Sequence, residues 1–305
     1  DIFWIKNTFS YYDYDGSTYV ELFYISSGTT LETQKEKFNE ALNNFVNNAT
    51  MYSSEYEREK YVNDYIISNC VYDDEAAYNN NTKGNVSTAY GVLVDGKAIC
   101  EGYARAFQLL CNKLGIECVS IAGMTDDVGH EWNCAKIDGN WYQVDVTWND
   151  SQDDFSNYYY FNLTDEQMYS SHRADDLFDE IEPDNYNNDE NLIGNLYVPE
   201  CNSTEYNYYN QTAPILYAFD EENDNTISNA LANSAVNGDN YFNIIVDDSL
   251  DFEDAYSTLV QDGYVVNYIE SANNMLWGEV ELDTSSYAYK NDTLRVITIV
   301  LNYIN

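Results

Sequence analysis

The chain has 305 residues, with 53 acidic side chains against 13 Lys and Arg, a net charge of −40, and a hydrophobic fraction of 44%. That length suffices for two or three domains, and the apolar content is that of a folded chain. So acidic a surface excludes phosphate-binding patches, so no nucleic-acid partner is expected, and no apolar run is long enough to span a bilayer.

The chain opens on Asp1 with no basic–apolar leader, and is read as a mature form or an excised piece. Thr18–Ile25 alternates as a strand. Helical patterns follow over Leu31–Asn48 and Glu55–Asn69, the second with Tyr61, Val62, Tyr65 and Ile66 on one face. Asn79–Asn85 is a polar loop. Ala98–Leu114 places Tyr103, Phe107, Leu110 and Leu114 on a stripe, and Gly115 stops the helix. Glu117–Ala122 reads as a strand, then His130–Ile137 and Asn140–Trp148 flank Asp138-Gly139, a strong hairpin signal. Strand, helix and hairpin together predict an α+β core, a helix on an antiparallel sheet. From Asp175 to Ala213 the sequence is acidic and Asn-rich, an extended connection. Beyond it, strands are expected at Ile215–Phe219, Tyr241–Val246, Tyr264–Ile269, Leu276–Leu282 and Leu294–Leu301, with helices at Ile227–Val236 and Phe252–Gln261, a small α/β domain.

Three residues suggest chemistry. Cys100 falls where a Gly-bearing turn feeds a helix, and free N–H groups there favour a thiolate and an oxyanion. A buried apolar cysteine is the other reading. A two-residue turn at Asp138-Gly139 places His130 opposite Thr147 and Asp145 opposite Trp132, all on one face, with His130 and Asp145 diagonal neighbours. A three-residue turn would put them on opposite faces. The carboxylate can then hold the imidazole in one tautomer, although an ordinary surface pair fits the residue types as well.

Thr88–Ala104 with its Asp95-Gly-Lys-Ala-Ile-Cys-Glu-Gly segment, Gly129-His-Glu-Trp-Asn133, Trp141–Asn149, and Tyr160–Met168 followed by His172-Arg173 resemble, in order, the bacterial transglutaminase-like family. The resemblance covers about Glu55 to Arg173. It implies a papain-like fold with Cys100 as nucleophile, His130 as base and acid, and Asp145 as orienter. Asn63 stands where relatives often carry His, a position read as structural. The family's aromatic oxyanion donor suggests Tyr90, which reads equally as a core residue. Trp132 and Trp148 are candidate walls of a substrate cleft or simple packing. Glu101 opposes a thiolate unless turned to solvent, His172 reads as a surface or structural residue, and Cys70, Cys111, Cys118 and Cys134 read as core.

The expected organisation is an N-terminal segment over 1–54, a catalytic core over 55–175, a connector over 176–213 and a C-terminal α/β domain over 214–305. Without Cys-x-x-Cys or His-x-x-x-His, no metal and no cofactor is expected. The acidic runs Asp13–Gly16 and Asp220–Asp224 complete no calcium loop. The resulting expectation is a cysteine acyl-transfer enzyme on protein or peptide amides, hydrolytic first. Cross-linking and a non-catalytic binding module are the alternatives. Composition points to the outside of a bacterial cell.

Overall fold

The structure is a computed structural model describing residues 3–79, 84–151, 153–174, 198–278 and 280–304. The chain divides into two compact units, Asp1–Gln152 with Tyr160–Ser203, and Asp153–Tyr159 with Thr204–Asn305. Of the expected connector, 175–197 lies outside the described residues.

The first unit opens with a hairpin, β1 (Ile5–Tyr14) and β2 (Ser17–Tyr24). Asp15 and Gly16 both take positive φ, so the run Asp13–Gly16 is the end of β1 and a two-residue turn, Asp15-Gly16. Helix α1 (Gly28–Ala49) buries Phe38 and Phe45, and α2 (Glu55–Asn69) buries Val62 and Ile66. Ser54 and Glu57 form a reciprocal capping box that fixes the start of α2. After β3 (Val71–Tyr72), α3 (Asp74–Tyr78) and a π-helical turn at Gly91–Asp95, β4 (Lys97–Ala98) pairs parallel with β3.

Helix α4 (Cys100–Lys113) follows at once, burying Tyr103, Ala104, Phe107, Leu110 and Cys111. Side chains such as Phe107 and Leu110 each contribute roughly 1.5–3 kcal/mol when fully buried. The antiparallel sheet beside it runs in the order β7-β6-β5-β8: β5 (Cys118–Thr125), β6 (Val128–Ile137), β7 (Asn140–Val144) and β8 (Arg173–Ala174). Asn133 Nδ2 ties sheet to helix by donating to the Ala104 carbonyl at 3.0 Å.

Asp138 and Gly139 both have positive φ, and Ile137 pairs with Asn140 and Asn133 with Val144, the register a two-residue turn dictates. The second strand is shorter than expected. It ends at Val144, and Thr147 lies in a short helix, α5 (Val146–Asn149), rather than opposite His130 on a strand. A capping carboxylate at Asp145 makes that break. Helix α6 (Asp165–Met168) leads to β8. Cys201 is fully buried, its Sγ 3.8 Å from that of Cys134 on β6, so this stretch of the expected connector is part of the core.

The second unit holds a four-stranded sheet in the order β11-β12-β10-β9, after a short α7 (Tyr208–Thr212). Strands β9 (Ile215–Leu216) and β10 (Tyr241–Val246) are parallel, whereas β11 (Ala288–Asn291) and β12 (Val296–Val300) run antiparallel. Helices α8 (Glu221–Asn237), α9 (Phe252–Tyr256) and α10 (Val265–Leu276) share its core. The expected strand at Tyr264–Ile269 is the start of α10. Val265, Tyr268, Ile269, Ala272 and Leu276 are buried at three- and four-residue spacing, a helical face that a six-residue apolar window conceals. The expected strand over Leu276–Leu282 is likewise absent among its described residues, where only Leu282 bridges Tyr303.

Candidate active site

Asp145 organises this site. Its backbone is extended and it stands at the N-cap of α5, where Oδ1 accepts the N–H groups of Thr147 at 2.9 Å and Trp148 at 3.1 Å. Oδ2 accepts from two imidazoles, His130 Nε2 at 2.6 Å and His172 Nε2 at 3.0 Å. The carboxylate is fully buried, so an ionised state depends on these four donors. Burial would raise its pKa, but the two imidazoles outweigh that and hold it at about 2.

His130 lies on β6, which brings it to the level of Asp145 at the end of β7. Burial of the ring disfavours its charged form. The charge and hydrogen bond of Asp145, with a smaller share from Cys100, overcome burial and push the pKa up to about 10. With Nε2 committed to Asp145, Nδ1 is the nitrogen left for a partner.

Cys100 is the first residue of α4, half-buried, and its side chain interacts with that of His130. Ile99 at the N-cap carries no polar side chain to satisfy the first N–H groups, and those of Gly102 and Tyr103 donate to its carbonyl at 2.9 and 3.1 Å. The thiol therefore meets the positive end of the helix. Gly102 lets the turn approach its neighbours: a Cβ there would stand 2.5 Å from the Val86 carbonyl oxygen and 2.8 Å from Ala98 Cβ. Glu101 is paired with Arg105 at 2.5 Å, which offsets the negative charge beside the thiol.

The transglutaminase-like superfamily profile matches residues 43–146, a span containing Cys100, His130 and Asp145. These residues form a transglutaminase-like domain. The chain is 28% identical to the kyphoscoliosis peptidase of Mus musculus over 167 residues, 51% of this chain and 24% of that protein. It is 27% identical to the kyphoscoliosis peptidase of Homo sapiens over 146 residues, 44% of this chain and 22% of that one. The matches thus span about a quarter of these curated relatives. The crystal structure of a TGase aligns at 18% identity and a TM-score of 0.35, over 48% of this chain and 45% of that one.

Other candidates in the transglutaminase-like domain fall into different places. Tyr90 is buried against Phe3 and Phe38, with ring centroids 4.6 and 6.0 Å away, and is a core aromatic. Tyr72, which sequence reasoning missed, lies beside the nucleophile candidate. Pairing Tyr72 with Ala98 sets its hydroxyl against the backbone N–H and thiol of Cys100, and burial with the nearby thiol pushes its pKa up to about 12. No spacing signal links it to Cys100, because the contact is made by a two-residue parallel pair.

Trp132 is buried rather than lining a cleft. Its Nε1 donates to Gln143 Oε1 at 2.7 Å, and its ring lies nearly parallel to that of His130. Trp148, half-buried, packs 4.6 Å from His172 and edge-on to Tyr160. His172 is buried too, which removes the surface reading of that position and leaves the structural one. Asn63, also buried, accepts from Asn149 Nδ2 at 3.0 Å and so ties α2 to the helix capped by Asp145.

His130, Asp145 and His172 have their ligand-type atoms within 4.8 Å of one another, a donor set that suits a divalent metal. Both nitrogens facing this point are turned onto the carboxylate oxygen.

Proposed function

We propose that the transglutaminase-like domain is a cysteine acyl-transfer enzyme that cleaves amide bonds of proteins or peptides through a thioester. The observation that carries this reading is the Asp145–His130 pair, which commits Nε2 of the imidazole and leaves Nδ1 for Cys100. In the reacting pair the thiol proton already resides on His130 Nδ1, and Cys100 Sγ attacks the amide carbonyl. The same nitrogen returns the proton to the leaving amine, and Asp145 steadies the imidazolium. The Tyr72 hydroxyl, set beside the Cys100 N–H and thiol, would donate to the developing oxyanion. Water then attacks the thioester, releasing the acid and restoring the thiol.

Two mammalian relatives are named peptidases, which favours water as the acceptor. A net charge of −40 favours basic or neutral substrates over acidic ones at low salt. The test is a peptide library incubated with the protein in H₂¹⁸O, with and without a primary amine. Cleavage with one ¹⁸O in the new carboxylate is expected, lost in Cys100→Ala. Amine incorporation without cleavage would replace hydrolysis by cross-linking. No turnover, together with a Cys100 that reacts like an ordinary thiol, would leave a binding module.

A further inference from the structure

We propose that His172 is a positioning residue of this site, sharing the Asp145 carboxylate with His130 and setting how strongly that carboxylate holds the imidazole; this rests on the acyl-transfer reading above. The chain has two histidines, and both present Nε2 to the same oxygen, Asp145 Oδ2. An ionised carboxylate cannot face an imidazole lone pair at 3.0 Å without repulsion, so Nε2 of His172 carries the hydrogen and donates it. Its other nitrogen, Nδ1, is engaged by Ser171 Oγ at 2.8 Å. The ring has little freedom to turn away, packed 4.6 Å from Trp148, 5.1 Å from Trp132 and 5.6 Å from Tyr160.

A buried carboxylate bonded only to His130 and the α5 N–H groups would keep more of its negative charge for the imidazole, and would itself protonate more readily. A second donor on the same oxygen spreads that charge. It keeps Asp145 ionised through the acidic range and holds Oδ2 in the plane where His130 meets it. The His172 ring also lies beside that of His130, with centroids 5.5 Å apart, but its hydrogen bond in the site goes to Asp145, and through that carboxylate it acts on the imidazole. The hydrogen bond from His172 belongs to the causes that lower the Asp145 pKa, consistent with this geometry.

The experiment begins with the wild-type chain labelled with ¹⁵N-histidine, whose spectrum contains only His130 and His172. A hydrogen on Nε2 of His172 is expected near neutral pH, and a bare Nε2 would overturn the proposal without any variant having to fold. Kinetics then compare His172→Phe, which fills the space without a donor, with His172→Gln, which keeps an N–H near the Nε2 position. In His172→Phe, kcat/KM should fall about tenfold through kcat, the value of one charge-assisted hydrogen bond, and its acid limb should move up by about one pH unit. His172→Gln should recover most of both.

Wild-type pH limbs in His172→Phe, or a Gln variant as impaired as the Phe variant, would reduce His172 to packing. His130→Ala separates the two readings. If it leaves Cys100 alkylation unchanged, the acyl-transfer reading fails. If it slows alkylation while both His172 variants match wild type, only the positioning role fails.

Discussion

His130 Nε2 stands 2.6 Å from Asp145 Oδ2, while the other oxygen of that carboxylate closes the first turn of α5. One side chain thus orients an imidazole and starts a helix, and the two roles can be separated by substitution. Asp145→Asn keeps a capping oxygen but presents an amide to His130, forcing the wrong tautomer. It should fold with a Tm close to wild type and lose on the order of 10³- to 10⁴-fold in kcat. Asp145→Ala should lose the same activity and about 1 kcal/mol more stability from the missing cap, read from urea titrations of both variants. Equal stabilities would show that the cap is not what Asp145 gives the fold.

Thiol reactivity should single out Cys100. The other five cysteines are buried, and burial pushes the Cys70 thiol up to about 11. His130, protonated below about 10, places a cation beside the Cys100 sulfur, which is only half-buried. Iodoacetamide at pH 6 should therefore label Cys100 at least tenfold faster than any other cysteine, by peptide mass spectrometry, and His130→Ala should remove that preference. Labelling spread evenly over the six thiols would count against the pair.

Tyr72 and Tyr90 make a matched comparison. Removing the Tyr72 hydroxyl takes away a group facing Cys100, and Tyr72→Phe should lower kcat by roughly 10²-fold, as for other single oxyanion donors. Tyr90→Phe changes a ring in an aromatic core and should leave kcat within about twofold. The reverse order would restore Tyr90 as the donor.

Glu59, on α2, is fully buried and accepts from Asn162 Nδ2 at 2.7 Å. Burial raises its pKa from 4.5 to about 8. Between those values the unfolded chain has released the proton and the folded chain still holds it. Folding stability from this group therefore falls as pH rises, with a slope approaching about 1.4 kcal/mol per pH unit. Glu59→Gln removes the slope, so its advantage over wild type should grow from pH 5 to pH 8 and level off above. Parallel stability curves for the two proteins would sink this account.

Legibility in the sequence followed the range of the interactions. The β6–β7 register was readable because Asp138-Gly139 imposes it locally, and that register carried His130 to Asp145. Helix α4 was readable from its stripe and from Gly115, whose φ of 82° ends it. Tyr72 and His172 were not, because each reaches the site through pairing between segments far apart in the chain, Tyr72 with Ala98 and Arg173 with Met124. Helix α10 was misread for a different reason. Its first residues are β-branched and aromatic, and the burial that decides the matter recurs only over twelve residues.

The meeting of Cys134 and Cys201 has a consequence for handling the protein. Two thiols with their sulfurs 3.8 Å apart are neighbours that a disulfide oxidant would join, taking up their two hydrogens. That bond would bolt the strand bearing His130 to a segment 67 residues away, and reductant would undo it. Each preparation would then carry its oxidation history as a mass deficit of about 2 Da, legible before any assay is run.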